Sequence, residues 1–333
     1  MAGRAVRHPI KADLDSAVCV VRAHLPRSPL LPSPALGAGV WLKVETMQPS
    51  GAFKVRGALA ALSAVTAEGT TRIVTASAGN HALGVAWAAE RLGISATVVV
   101  AATASPAKLN ALATLPIELV LHGESYDEAE AHGLALSREG AVYVSPYNDP
   151  LVIAGQATIG HEVVSQIREG GVPASGPLTI VAGIGGGGLV AGLALWAAQD
   201  RLRRPEGAIR IVGIEAERSR AMTAAVNAGG TVTVEVGATL ADGLAGNLEP
   251  DSVTVPIIRD HEVALIAVSE AEIEDAMRWL AREHGLVVEG AGAAGVAALL
   301  GGKLAIEDGG QTVVVLTGRN IALDRYAEVL RRS

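Results

Sequence analysis

The chain has 333 residues; half are hydrophobic, 18% are charged, 3% are aromatic, and the formal net charge is −7. That length suits one large or two modest domains, and the shortage of aromatics implies a core of Ala, Val, Leu and Ile, as in parallel sheets covered by helices. The negative charge, with no basic patch interleaved with aromatics, argues against a nucleic-acid binder, and a single cysteine, Cys19, excludes an intrachain disulfide or a cysteine-rich zinc site.

The first residues reach Lys11, Asp13 and Asp15 without an apolar run, so a cytoplasmic protein without a signal peptide is expected. Residues 40–45 read as a strand, and residues 58–62 as a helical run. Between them lies Pro49-Ser50-Gly51-Ala52-Phe53-Lys54-Val55-Arg56-Gly57, in which Lys54 follows the only phenylalanine of the chain. Small and apolar neighbours at a strand-to-helix junction desolvate an amine in part. Desolvation lowers its pKa and frees it to attack an aldehyde. Taken singly, an ordinary surface lysine in a turn is the plainer reading.

Strands are expected at 73–75, 97–100, 118–121 and 142–144, and helices at 81–92, 126–138 and 156–168. The loop Thr75-Ala76-Ser77-Ala78-Gly79-Asn80-His81 joins the first of these strands to a helix. Its backbone N–H groups suit a carboxylate, with Ser77 and Asn80 adding side-chain polarity; a simple N-cap is the alternative. The polar turn at Tyr147-Asn148-Asp149-Pro150 marks a domain boundary.

Residues 171–199 carry no charge and are long enough to span a bilayer. Pro173, Pro177 and a central glycine run argue against a membrane helix. The better reading is a strand at 178–182, the loop Gly183-Ile184-Gly185-Gly186-Gly187-Gly188, and a helix opening at Leu189. Such a junction is an anion cradle, because glycines let backbone N–H groups converge and the helix dipole favours negative charge. Further strands are expected at 211–214 and 312–316, and a helix at 270–284. The last strand ends in Thr317-Gly318-Arg319-Asn320, at the sheet edge where open α/β folds place ligands. The alternation throughout predicts α/β architecture with mainly parallel sheets.

A reactive lysine and a phosphate cradle together suggest an aldehyde that carries a phosphate, pyridoxal 5'-phosphate. Two rivals use the same residues. Gly183-x-Gly185-x-x-Gly188, with Glu215 ending the next strand, fits the fingerprint of an NAD-dependent dehydrogenase. A non-enzymatic phosphate-binding module needs the glycine loop alone.

In order along the chain, the Lys54, Ser77–His81, glycine-loop and Thr317 segments resemble the fold-type II pyridoxal-phosphate enzymes, specifically the threonine/serine dehydratase and serine racemase group. Residues 150–160, 240–243 and 288–293 extend the resemblance over nearly the whole chain. It implies two open, mostly parallel sheets flanked by helices, as in the tryptophan synthase β fold, with the active site in an inter-domain cleft. The large cofactor-binding domain would take residues 1–70 and 146–333, and the small domain, carrying the substrate carboxylate loop, residues 71–145. Lys54 would be joined covalently to the cofactor and would transfer the proton. Phe53 would pack beside the ring, and Asn80 would bond its phenolic oxygen. Gly185, Gly186, Gly187, Gly188 and Leu189 would hold the phosphate. Thr317 would meet the pyridine nitrogen, and Glu289 would lie near the ring or serve only as a carboxylate at a helix start. Ser77, Ala78, Gly79, Asn80 and His81 would receive the substrate carboxylate, and Asp242 and Gly243 would border its side chain.

The reaction so implied is β-elimination of L-threonine or L-serine to a 2-keto acid and ammonia, by a homodimer. Dehydration of 3-hydroxyaspartate or of a hydroxyectoine-derived amino acid, and serine racemisation, are the variants. Ala78 stands where the racemases carry a second serine, so racemisation should be minor. The group's metal-binding members pair a glutamate with an aspartate; Glu215 matches the first but Ala221 stands at the second, so no metal is expected. Arg319 stands where the group usually has glycine; it could reach an anionic substrate group, alter the surroundings of the ring nitrogen, or face solvent. The chain ends soon after Thr317, so no regulatory domain and no control by isoleucine are expected.

Overall fold

The computed structural model describes residues 6–138, 140–171, 176–203 and 209–331, and in 201–203 the backbone alone. Pro173 and the first five residues, which enter two of the sequence expectations, lie outside this set. Among the described residues the strands are β1 (Leu30–Pro32), β2 (Val40–Val44), β3 (Arg72–Ala76), β4 (Ser95–Val100), β5 (Glu118–Leu121), β6 (Val142–Tyr143), β7 (Leu178–Gly183), β8 (Ile209–Ala216), β9 (Ala264–Val268) and β10 (Gln311–Leu316). The helices are α1 (Lys11–His24), α2 (Lys54–Ala67), α3 (Asn80–Leu92), α4 (Pro106–Ala113), α5 (Tyr126–Ser137), α6 (Pro150–Glu169), α7 (Gly188–Arg203), α8 (Ala221–Ala228), α9 (Thr254–Asp260), α10 (Glu270–His284), α11 (Gly290–Leu300) and α12 (Leu323–Arg331). No helix among the described residues is long and apolar enough to cross a membrane.

The chain divides into two compact units. One comprises Met1–Leu25 and Gln48–Gln156, the other Pro26–Met47 and Ala157–Ser333. The first holds a four-stranded sheet in the order β5-β4-β3-β6, parallel throughout. The second holds a six-stranded sheet in the order β1-β2-β10-β7-β8-β9, parallel except for the β1–β2 pair. This division differs from the expected boundaries at residues 70 and 146. The reason is packing. Val55, Leu59 and Leu62 of α2 share one core with Ile73 of β3 and Val85 and Ala89 of α3, so α2 belongs with the smaller sheet. Residues 150–156 begin α6 and join the same unit, because Leu151 and Val152 enter that core.

In the larger unit the central strand β7 is buried at every position. Such a run requires cover on both faces of the sheet. Helix α11, which is almost wholly Ala, Gly, Val and Leu, is buried around most of its circumference. Its Gly295 lets it approach the sheet, for a Cβ there would lie 2.6 Å from a methyl of Val314. Helix α10 is amphipathic and bounded by sequence-coded caps. Ser269 and Glu272 form a capping box, and Gly285 ends the helix in the left-handed conformation.

Candidate active site

In the smaller unit α2 begins at Lys54 itself, with Phe53 as the residue before it. Lys54 is half-buried, and its Nζ donates to the carbonyl of Pro146 at 2.7 Å and lies 5.3 Å from the centroid of the Phe53 ring. Ser77, Ala78 and Gly79 connect β3 to α3, and Asn80 opens the helix. All four are half-buried. The Ser77 hydroxyl accepts from the Gly79 N–H at 3.2 Å, which folds the loop across the helix start. A Cβ at Gly79 would meet no atom within 4 Å, so the loop faces open space there. His81 turns inward and is only 2% exposed. Burial first, and the charge of Lys54 second, push its imidazole down to about 3, with the Val144 backbone opposing weakly. His81 is therefore neutral at neutral pH, and neither ring nitrogen makes a hydrogen bond of normal geometry.

In the larger unit the glycine loop follows β7 and opens α7 at Gly188. Ile184 still belongs to the sheet, its N–H bonding to Ile214 O at 2.9 Å, and the helical ladder starts with Ala191 N–H to Gly187 O at 2.8 Å. Between them, among the described residues, no acceptor meets the N–H groups of Gly185 to Val190. Buried or half-buried amides are rarely left without a partner. Here they point from a helix N-terminus, the place for an anion. The glycines are required sterically. Gly187 has φ +88°, and a Cβ at Gly185 would lie 3.0 Å from Leu244 Cα. Thr254 braces the loop by donating its hydroxyl to Gly186 O at 2.8 Å. The unpaired amides fit a phosphate, and Lys54, presenting its amine from a helix start, fits the aldehyde.

The same unit gathers three more of the expected segments around this loop. The turn Asp242–Leu244 lies on it, with Asp242 and Gly243 exposed and Leu244 buried. Gly243 abuts Ala291, and Gly290 abuts Leu240, so α11 and this turn are in van der Waals contact. Glu289 is buried and starts α11, and its N–H donates to Gly318 O at 3.0 Å. That bond brings Glu289 beside Thr317, which is buried at the end of β10.

Arg319 is exposed but has a backbone partner. Its Nη1 donates to the carbonyl of Thr46, tying the loop after β10 to the loop after the neighbouring β2. Glu215 ends β8 but is only 1% exposed. Its carboxylate accepts from the N–H groups of Met222 and Thr223, at 2.9 and 3.2 Å, and from the Thr223 hydroxyl. Glu215 thus caps α8. Both oxygens are engaged, which removes the ribose ligand that the dinucleotide reading needs. Burial pushes the Glu215 carboxyl up, and the hydrogen bonds from α8 oppose that shift.

Sequence reasoning misses three contributors. Pro146, whose carbonyl holds the Lys54 amine, lies beside a cluster that reads only as a boundary turn. Leu244 and Thr254 support the glycine loop from distant segments, and nothing local in the sequence marks them.

A lysine at a helix start, a polar loop at a second helix start and, in the other unit, a glycine loop with open amides after a central parallel strand are the local features of the fold-type II class. The chain belongs to the family of pyridoxal-phosphate dependent enzymes, which it matches over residues 21–318. It is 39% identical to an L-threonine ammonia-lyase of Geobacter sulfurreducens over 302 residues, 90% of this chain and 72% of that one. It is 36% identical to the catabolic L-threonine dehydratase TdcB of Escherichia coli K12, over 93% of this chain and 91% of that one. Among solved structures it superimposes on maize serine racemase with a TM-score of 0.85 and 28% identity, covering 97% of each chain.

Proposed function

We propose that the protein eliminates water from a β-hydroxy amino acid, L-threonine or L-serine, after which hydrolysis of the released enamine consumes one water and gives a 2-keto acid and ammonia. The similarity to threonine ammonia-lyases over nine-tenths of the chain supports this substrate class. The pyridoxal phosphate ring, when bound, takes up the electron pair left by the departing α-proton. Lys54 would carry the chemistry: its amine would hold the cofactor aldehyde, and as a free amine it would be the base for the substrate α-proton. The amides of Gly185 to Leu189 hold the phosphate, and Phe53 and Asn80 flank the ring. Ser77, Gly79 and the start of α3 receive the substrate carboxylate, with Asp242 and Gly243 beside its side chain.

Two residues bias the outcome. Thr317 would offer the ring nitrogen a neutral hydroxyl, which leaves the nitrogen unprotonated and the electron sink shallow. Prompt loss of the β-hydroxyl is then favoured over transamination. Ala78 offers only a methyl group, so no second acid is supplied there and racemisation stays minor. Glu289 sits at the start of α11, where the helix dipole complements a carboxylate. We further read the chain as a cytoplasmic homodimer acting on a small amino acid, with no nucleic-acid or membrane partner.

The observation that carries this reading is the Lys54 amine, held at 2.7 Å on the backbone carbonyl of Pro146 from the first residue of a helix. The test is a keto-acid and ammonia assay over threonine, serine, 3-hydroxyaspartate and phenylserine, with racemisation measured in parallel. Wild type should turn over threonine or serine, and borohydride should fix the cofactor on Lys54. Lys54→Ala should lose both the visible band and ammonia release; retention of both would refute the reading.

A further inference from the structure

Helix α3 carries a glycine in its second turn, Gly84, where glycine is unfavourable for the helix itself. Its contacts explain the choice. A Cβ at Gly84 would lie 2.9 Å from Val55 N, 3.0 Å from Lys54 C and 3.1 Å from Val55 Cα. All three are backbone atoms of the first turn of α2, so no side-chain rotation relieves the contact. The same turn is gripped from α6, because a Cβ at Gly155 would lie 2.5 Å from Arg56 O and 2.6 Å from Gly57 Cα. At the far end of the Lys54 side chain, Nζ is held by Pro146 O at 2.7 Å. The backbone of Lys54 and its amine are therefore fixed separately, the first by Gly84 and the second by Pro146.

We propose that Gly84 is a positioning residue for Lys54: by lacking a side chain it sets the depth at which α2 starts, and so where the amine stands. A methyl group there pushes the Lys54 peptide away from α3 and shifts the amine from the place, marked by Pro146 O in the cofactor-free chain, from which it would meet the aldehyde. This rests on the reading that Lys54 joins the cofactor. Borohydride labelling of the wild type tests that premise by itself; an unlabelled Lys54 overturns the premise and leaves nothing for Gly84 to position.

The experiment uses the full chain loaded with pyridoxal phosphate. In Gly84→Ala the pH at which the visible band titrates should shift by at least half a unit. kcat should fall at least tenfold while KM changes less than threefold. A second pair separates positioning from a general loss of structure. In Lys54→Ala an added small amine, ethylamine, replaces the tethered base and diffuses to its own position. The amine-rescued rate of Lys54→Ala should therefore be unchanged, within threefold, in Lys54→Ala/Gly84→Ala. The proposal is overturned if Gly84→Ala titrates and turns over like the wild type. It is equally overturned if the rescued rate falls by the same factor as kcat, or if both Gly84 variants fail to fold. Either of those results would assign Gly84 to the fold alone.

Discussion

Replacing Gly187 by alanine tests the anion cradle most directly. Gly187 has φ +88°, and a Cβ there would lie 2.7 Å from Met222 Cε, 2.9 Å from Ile258 Cδ1 and 2.9 Å from Thr254 Cβ. The left-handed backbone costs an L-residue about 1–2 kcal/mol, and overpacking against three neighbours adds roughly 1–3 kcal/mol. The strain is then about 2–5 kcal/mol. Met222 Cε and Ile258 Cδ1 are side-chain ends that can turn aside, but Thr254 Cβ is fixed to its helix and the φ strain remains, so the loop moves. Movement misaligns the unpaired amides. At about 1.4 kcal/mol for each tenfold, cofactor affinity should fall at least ~30-fold. A control isolates the contact. Gly229 has φ +75° and no atom within 4 Å of its would-be Cβ, so Gly229→Ala carries the backbone cost alone. The assay is equilibrium titration of the cofactor-free protein with pyridoxal phosphate, read by absorbance and paired with thermal unfolding. Gly229→Ala should lower Tm and leave Kd unchanged. Gly187→Ala with Kd within threefold of wild type would refute the placement of the phosphate.

His81 predicts an acid-sensitive step in folding. Its ordinary value of 6.5 is lowered to about 3 in the fold, so the unfolded chain binds the proton more readily. Its contribution is present above pH 6.5 and lost as pH falls toward 3; at ~1.4 kcal/mol per pH unit, about 3 kcal/mol is gone by pH 4. Urea unfolding of the cofactor-free protein at pH 7 and pH 4 should show that difference shrink in His81→Leu. For Glu215 the sign reverses, since burial raises its carboxyl. The stability it gives is present below the ordinary carboxylate value and lost as pH rises through the raised one. Glu215→Gln should therefore gain stability relative to wild type as pH is raised from 4 to 7, as urea midpoints will report. Thr317→Asp should depress elimination at least tenfold and raise transamination, measured by keto-acid release and by the amine form of the cofactor; unchanged elimination would remove Thr317 from the ring nitrogen.

Much of the fold is legible in the sequence because its central strands are rich in β-branched residues and some of its helices carry coded caps. Helix α10 is the clearest case, with Ser269, Glu272 and Gly285 all readable from the chain alone. The misses have physical causes. β1 is three residues ending in Pro32, an antiparallel edge too short to carry a period. β9 is only partly buried, so its run at 264–268 lacks the contrast of a central strand. The 147–150 cluster reads as a turn, yet Asp149 accepts from the N–H groups of Leu151 and Val152 and so caps α6. Turns and N-caps draw on the same residues for the same reason, a short side-chain acceptor near free amides. Only the residues downstream tell them apart, and there α6 runs on through a proline at its first position.

The site divides along a similar line. Residue types that act on a ligand are readable, since a lysine at a helix start and glycines after a strand are chemical requirements of the segment itself. Residues that act on the protein are not. Gly84 and Gly155 are glycine because of backbone atoms some thirty and a hundred residues away in sequence, and no local pattern carries that information. Glu215 shows the converse error. An acid closing the strand after a glycine loop reads as a ribose ligand or half a metal site, but its partners lie seven and eight residues on, at the start of α8. A carboxylate whose two oxygens already hold three donors has little left to offer a metal or a sugar. The deciding quantity for such residues is how much hydrogen-bonding capacity the fold has already used, and that can be counted only once the fold is in hand.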